Sequence, residues 1–547
     1  VNRVSLAARI VAVVPEFGSS AGRQVTSVDG TSAVEASTVA SYTVSDLFQR
    51  AFRVFADRTA VTCEDGSWTY GELGERAARL AGGLQRLGLG RGDRVAVLSE
   101  TRPEYVETYA ALACLGITAL TLNIRFHPEE LAYCLDAGSP RAVIASGSCA
   151  PLLEYARSRP SAITTWACLD EPPEGYTRYQ DLFGGSPASP AEVRGDDIHN
   201  VLYTSGTTGR AKGAMISQGA AAIRGLRLAQ WFGLGEQDGF IGWLPLFHCG
   251  GDESLYATML TGGTYGTLRK ADAETMFAMI ERDRLSWTLL LPGVITDFLD
   301  HPRRGDYDLS SLRFAIGYAN MMPGVVQKLT SSFGIDFYDA FGQTEVSYLL
   351  AHGISGPGEM PSLRKMPSPL LNVRLVDAEM REVPPGVPGE CVVRGPSVMS
   401  GYLDDPDANS EAFRGGWLHT GDVLMRDESG LLTYVDRLKY LIKTGGENVY
   451  PAEVEQVIAR HEAVQEACVF GVSDPRWGET VKAVIVRRPG ATVSAAEIDA
   501  WCRDRLAGFK RPRYLEFMAA SQLPRSTTGK LQRHELAKLP VGPDQQV

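Results

Sequence analysis

The stretch Tyr203-Thr-Ser-Gly-Thr-Thr-Gly-Arg-Ala-Lys-Gly213 constrains this chain more than any other. It follows the apolar run Asn200-Val-Leu-Tyr203 and precedes an alanine-rich segment, so it reads as a strand delivering a hydroxyl-rich turn. Glycines at 206, 209 and 213 let the backbone curl until its N–H groups converge, and Ser205, Thr207, Thr208 and Lys212 add donors and one positive charge. Such a turn can cradle a polyphosphate. The nucleotidase loop GxxxxGK followed by Ser or Thr is excluded, because Ala211 stands before Lys212 and Gly213 after it. Alone, a Ser/Thr/Gly run also fits a solvated loop, so its meaning depends on what accompanies it.

Four further stretches accompany it in order: Phe341-Gly-Gln-Thr-Glu345, Gly416-Trp-Leu-His-Thr-Gly-Asp422, Asp436-Arg-Leu-Lys439 running on to Gly445-Gly-Glu-Asn448, and Pro524-Arg-Ser-Thr-Thr-Gly-Lys530. With these motifs the chain resembles the acyl-adenylate-forming superfamily, closest in pattern to acyl-CoA and aryl-CoA synthetases, over roughly residues 45 to 535. The resemblance implies a large α/β N-terminal domain built on layered β-sheets with flanking helices, followed by a small α+β C-terminal domain. The expected division is a flexible lead-in over 1–43, an ATP- and acyl-binding domain over 44–435, and a mobile domain over 436–547 with a hinge at Lys439.

The implied activity is an AMP-forming ligation that uses ATP, Mg²⁺ and CoA. In that scheme Thr204, Ser205, Gly206, Thr207, Thr208, Gly209 and Lys212 clamp the β- and γ-phosphates. Glu345 holds Mg²⁺, Thr344 donates to the α-phosphate, and Phe341 stacks on adenine beside Gly342 and Gln343. Asp422 accepts the two ribose hydroxyls, as a carboxylate can from a cis-diol, with Arg437 in support. Trp417 and His419 shape that loop. Lys530, near the end of the small domain, enters to bridge the carboxylate and α-phosphate during adenylation and then leaves.

The acyl pocket is expected at His248, Tyr318, Ala319 and Asn320. The family has a glycine pair followed by alanine and proline where this chain reads Gly317-Tyr-Ala-Asn320, so Tyr318 either narrows the pocket or lines a large one. CoA is assigned to Arg125, Gly445, Gly446, Trp477, Phe509, Arg511 and Arg513, with a surface salt bridge as the equal alternative for Arg125 and an aromatic anchor and a solvated basic turn as the alternative for the last four. His248 lies where amino-acid-activating relatives carry an amine-binding aspartate, which disfavours an α-amino acid substrate. Ala211 replaces a family proline. Two competing readings are an enzyme that only converts a supplied acyl-adenylate to the thioester, and a nonenzymatic acyl-nucleotide sensor. The intact Lys530 and Glu345 place the full ligase ahead of both.

Bulk properties agree with this reading. A chain of 547 residues calls for two or three domains, and a net charge of −11 argues against a nucleic-acid surface. The nine cysteines form no close pairs, which suits a reducing, cytoplasmic setting, and no apolar run is long enough for stable membrane insertion. A homodimer is compatible with these properties. Residues 18–40 look like a flexible lead-in, and Val1 to Val14 lacks a clean export signal.

The spacing predicts helices over 69–87 with Thr69 as cap, over 103–115, 218–231 and 495–506, and a buried helix ending in a turn over 110–122. It predicts strands at 95–98, 142–145, 314–317, 431–435, 467–472 and 481–486, and a strand from Ile241 whose mouth carries His248. Residues 171–196 read as a connecting loop.

Overall fold

The computed structural model describes residues 42–547, apart from 184–185, 205–210, 291, 318–322, 445–446, 526–530, 543–544 and 547, together with the backbone alone at 292–293 and 348–352. Among the described residues the strands form three sheets, of 13, 8 and 5 strands. The first described helix is Val44–Val54, where Thr43 and Asp46 form a reciprocal capping box.

The 8-stranded sheet has a parallel centre of short strands, Arg94–Leu98, Thr118–Thr121, Ala142–Ala145 and Ile198–Thr204. These strands are buried along most of their length, residues 95–98 and Ala142–Ala145 being wholly apolar, as in a sheet covered by helices. The helix Tyr70–Arg86 starts at the Thr69 cap, and the helix Pro103–Leu115 matches the predicted span. The expected helix over 110–122 does not continue to its end: Gly116 takes a left-handed conformation at φ 65°, and the chain re-enters the sheet as Thr118–Thr121. Two threonines, residues with high strand propensity, bound that strand.

The 13-stranded sheet starts parallel, with Gly239–Gly242, Trp287–Leu290, Phe314–Gly317 and Asp336–Gln343 side by side. It then turns antiparallel through Ser347–Ser355 and Arg364–Pro367 to Leu432–Arg437 and Leu418–Arg426. The strand expected from Ile241 to His248 is only Gly239–Gly242. Pro245 cannot donate to a ladder, and His248 instead becomes the N-cap residue of the helix Cys249–Thr261. The 171–196 connection contains the two-residue strand Thr177–Arg178 and the 3-10 turn Tyr179–Phe183.

The 5-stranded sheet lies wholly beyond Arg437 and is dominated by the long hairpin of Val464–Asp474 with Gly478–Arg487. Its apolar residues, among them Ile442, Val454, Ile458, Ile485 and Ile498, form clusters separate from those under the larger sheets. The helix Ala495–Arg503 stops short of the predicted 506 and opens with a Ser494–Glu497 capping box.

One acid sits inside the helix Pro103–Leu115. Glu107 is fully buried, contacts Arg76, and accepts a hydrogen bond from the Tyr179 hydroxyl at 2.7 Å. Burial raises its carboxyl from the ordinary 4.5 to about 7, against the opposing pull of Arg76. The folded state therefore holds this proton across a window in which the unfolded chain has lost it. The resulting stabilisation is complete below pH 4.5 and is lost as the pH rises through about 7. Glu107→Gln should flatten the fall in apparent Tm between pH 5 and pH 8 relative to the wild type, by an amount equivalent to a few kcal/mol. Parallel slopes in differential scanning fluorimetry would contradict this.

Candidate active site

The strand Ile198–Thr204 delivers the phosphate-loop motif, and the chain returns antiparallel as Lys212–Ser217. Thr204 and Lys212 are register partners, and the Thr204 hydroxyl donates to the Lys212 carbonyl at 3.4 Å. Ser205, Gly206, Thr207, Thr208 and Gly209 lie outside the described residues, but both ends of their loop are fixed by this hairpin. A third strand, Gly401–Tyr402, pairs with Lys212–Ser217.

That pairing introduces a residue the sequence motifs did not flag. The Lys212 ammonium sits 5.2 Å from the centre of the Tyr402 ring, and the Tyr402 hydroxyl donates to Glu345 Oε1 at 2.9 Å. Burial first, and then the Glu345 charge, raise the Tyr402 phenol well above its ordinary value, so it stays a hydrogen-bond donor. The Met399 N–H reaches the Glu345 carbonyl at 2.8 Å, fixing the same residue from its backbone side. Lys212, Tyr402 and Glu345 thus form one corner, in which the Tyr402 ring and hydroxyl connect a cation on the 8-stranded sheet to a carboxylate just beyond a strand of the 13-stranded sheet.

The second corner is built around Asp422. Phe341, Gly342 and Gln343 end the strand Asp336–Gln343, and Asp422 lies opposite Arg437 on neighbouring antiparallel strands. The Asp422 side chain is 0% exposed; its Oδ1 pairs with Arg437 Nε at 2.5 Å and its Oδ2 accepts from the Gln343 amide at 3.1 Å. Gln343 also donates to the Thr420 carbonyl at 3.2 Å, so it acts through Asp422. The half-buried Phe341 ring lies 5.3 Å from the Tyr434 ring, tilted by 40°. Thr344, next to Glu345, donates its hydroxyl to the Cys249 sulfur at 3.9 Å, beside the half-buried His248. Burial pushes the Cys249 thiol up to about 12, which removes it as a nucleophile. Trp417 lies under the guanidinium of Arg394 at 4.5 Å, and His419 pairs with Glu390 at 2.9 Å; in place of the loop expected before Asp422, the short turn Arg414–Gly416 leads through Trp417 into the strand Leu418–Arg426.

The residues assigned to CoA fall into separate places. Arg513 approaches the Trp477 ring to 5.3 Å, and Arg476 lies over the same ring at 4.6 Å. Phe509 is exposed, whereas Arg511 faces Asp499 at 3.7 Å. Arg125 sits in the turn after Thr118–Thr121, its N–H bonded to Asn123 Oδ1 at 3.0 Å. Gly445, Gly446, Tyr318, Ala319, Asn320 and Lys530 lie outside the described residues. Among the residues flanking 526–530, Arg525 pairs with Leu531 in an isolated β-bridge and the Gln532 N–H reaches the Pro524 carbonyl at 2.9 Å. Lys439 lies in the short turn Leu438–Tyr440, its ammonium 4.9 Å from the Tyr440 ring. Arg533 reaches the same ring at 4.9 Å and pairs with Glu455 at 2.6 Å.

Among the described residues, no group of three His, Cys, Asp or Glu side chains could hold a metal alone. The chemistry of Glu345 fits a hard cation such as Mg²⁺, which takes one or two carboxylates and completes its shell with phosphate oxygens and water. No helix of the described residues is long and apolar enough to cross a membrane.

Residues 48–403 match the family model of AMP-binding enzymes, and residues 453–530 match that of the AMP-binding enzyme C-terminal domain. Feruloyl-CoA synthase of Amycolatopsis sp is 34% identical over 495 residues, covering 89% of this chain and 97% of its own. Indoleacetate–CoA ligase of Aromatoleum aromaticum is 31% identical, with 88% and 95% covered. A crystal structure of an anthranilate CoA ligase in complex with anthranoyl-AMP superposes with a TM-score of 0.80 at 27% identity, over 90% of this chain and 96% of that one.

Proposed function

This chain belongs to the family of AMP-binding enzymes and is an AMP-forming acid–CoA ligase, and we propose that its acid is a hydrophobic aromatic or polycyclic carboxylate. A carboxylate is a poor acyl donor because its leaving group would be oxide. Attack of one carboxylate oxygen on the α-phosphorus of ATP forms the acyl-adenylate and expels pyrophosphate. The CoA thiol then attacks the acyl carbon, losing its proton, and AMP departs. Neither step needs a protein nucleophile, so electrostatic placement dominates.

The observation that best supports the nucleotide part of this reading is the Asp422 carboxylate, buried between the Gln343 amide and the Arg437 guanidinium at the end of the motif expected to recognise ribose. In the proposed division of labour, Lys212 and the loop from Thr204 hold the terminal phosphates, Thr344 the α-phosphate, and Phe341 the adenine. Glu345 would hold Mg²⁺, which when bound neutralises charge on the phosphates. Lys530 serves adenylation, and rotation of a small domain after residue 435 about Lys439 admits CoA toward Gly445, Gly446, Trp477, Phe509 and Arg513. The preference for aromatic acids rests on His248 and Tyr318 at the expected pocket. It also draws on the relatives, whose names record feruloyl, indoleacetate and anthranilate chemistry.

The test is ATP- and CoA-dependent thioester formation across aromatic, bile-acid-like, terpenoid and fatty acids, read by intact-product mass spectrometry with AMP quantified alongside. Turnover confined to straight-chain acids would overturn the substrate class. Thioester formed only from supplied acyl-adenylate would favour the half-reaction enzyme. Within this site, Tyr402→Phe keeps the ring beside Lys212 but removes the donor to Glu345. Hydrogen bonds to charged groups contribute about 1.5–3 kcal/mol, so the KM for MgATP should rise about tenfold or more, with the KM for CoA unchanged.

A further inference from the structure

Within the helix Cys249–Thr261, two consecutive acids, Asp252 and Glu253, are almost completely buried. Neither belongs to the five sequence motifs. Asp252 accepts the Asn200 amide at 2.7 Å, and burial, then the neighbouring Glu253, hold its carboxyl far above the usual range. Glu253 faces Arg224 of the helix Gln218–Phe232, Oε1 to Nη1 at 3.2 Å, with both side chains 1% exposed.

Each partner of this pair also grips a segment that flanks or contacts Glu345. Glu253 Oε2 accepts the Ser347 hydroxyl at 2.9 Å, two residues beyond Glu345. Ser347 has φ 114°, a conformation that a residue with a side chain rarely adopts and that persists only where its surroundings impose it. Arg224 donates through Nε and Nη2 to the Ser397 carbonyl at 2.9 and 2.7 Å. That carbonyl opens the segment in which the Met399 N–H holds the Glu345 carbonyl and the Tyr402 hydroxyl holds the Glu345 carboxylate. A buried ion pair is a weak source of stability, because desolvating both charges offsets most of their attraction. What this pair supplies is geometry: the planar guanidinium fork and the two carboxylate oxygens join the helices to both flanks of one carboxylate.

We propose that Arg224 and Glu253 are positioning residues that set the Glu345 carboxylate, through Ser347 and through the 397–402 segment, against the metal-bound polyphosphate. The proposal rests on the ligase reading only in taking Glu345 to face that polyphosphate. The test is calorimetric titration of the full chain with α,β-methylene-ATP, with Mg²⁺ or with chelator, so that no acid substrate is required. Ser347→Ala removes one tether while Glu253 keeps Arg224. It should weaken Mg²⁺-dependent binding about tenfold, leave binding in chelator within about twofold, and leave the apparent Tm nearly unchanged. Glu253→Gln should shift binding further in the same sense; if it fails to fold, Ser347→Ala decides. Ser347→Gly accommodates the backbone angle but lacks the hydroxyl, and should bind as poorly as Ser347→Ala. Equal losses with and without Mg²⁺, unaltered binding, or full recovery with glycine would overturn the proposal. Mg²⁺-dependent binding by a wild type that makes no thioester from any acid would instead overturn the ligase reading and leave the pair's role standing.

Discussion

Lys530→Ala should slow acyl-adenylate formation by roughly 10²–10³-fold, the loss that removing one preorganised donor from a developing charge commonly produces. The lysine is followed directly by Leu531, which bridges to Arg525, and the next residue, Gln532, donates its N–H to the Pro524 carbonyl. Arg533 anchors the short helix Arg533–Leu536 to Glu455 at 2.6 Å. Truncating the side chain at 530 leaves these anchors intact, so a loss of rate would reflect chemistry and not the anchoring of the segment. Supplying purified acyl-adenylate with CoA should restore most of the rate, because the carboxylate is then already activated. Rapid-quench measurement separates the two steps. Equal losses in both would reject the division of labour, and an unimpaired first step would remove Lys530 from adenylation altogether.

Much of this architecture is legible in local sequence. Ala142–Ala145 is a short apolar run between Gly138-Ser-Pro140 and Ser146-Gly-Ser148, and the helix Pro103–Leu115 is bounded by proline at its start and glycine at its end, so neighbouring residues determine each. Asp422 is legible because its motif is specific, although its orientation by Gln343, 79 residues earlier, is not. Tyr402 escapes a sequence reading for the same reason: its contact with Glu345 spans 57 residues and exists only because Gly401–Tyr402 adds to the strand that carries Lys212. The sequence does contain one further signal. Two adjacent acids in the helix Cys249–Thr261 need partners once buried, and Asp252 and Glu253 find theirs on Asn200, Arg224 and Ser347. The strand expected to end at His248 fails because Pro245 breaks the ladder, a constraint that the apolar pattern around it conceals.

Asp422→Asn should be the most damaging change in the nucleotide corner. The wild-type carboxylate is an acceptor at both oxygens, one facing the Arg437 guanidinium and one the Gln343 amide, and a ribose diol would be accepted there as the partly exposed Arg437 side chain gives way. Asparagine keeps the volume but puts an NH₂ group where one oxygen stood, so a donor must now face either Arg437 or Gln343. It also removes the negative charge from a side chain that is 0% exposed, while the Arg437 side chain remains 37% exposed and can turn to water. That asymmetry decides which effect dominates. Leaving a fully buried cation unpaired costs about 3–5 kcal/mol of stability, but a guanidinium with access to solvent costs less, so the fold should survive with a modest drop in apparent Tm. The nucleotide has no such recourse, since its hydroxyls would meet one acceptor fewer and a misdirected donor. Affinity for ATP should fall by about 10²-fold, corresponding to roughly 2.7 kcal/mol, with the KM for the acid and for CoA altered far less. Equilibrium binding of ATP and of 2′,3′-dideoxy-ATP gives the sharper measurement. The wild type should discriminate strongly between the two and Asp422→Asn hardly at all; undiminished discrimination in the variant would place ribose recognition elsewhere.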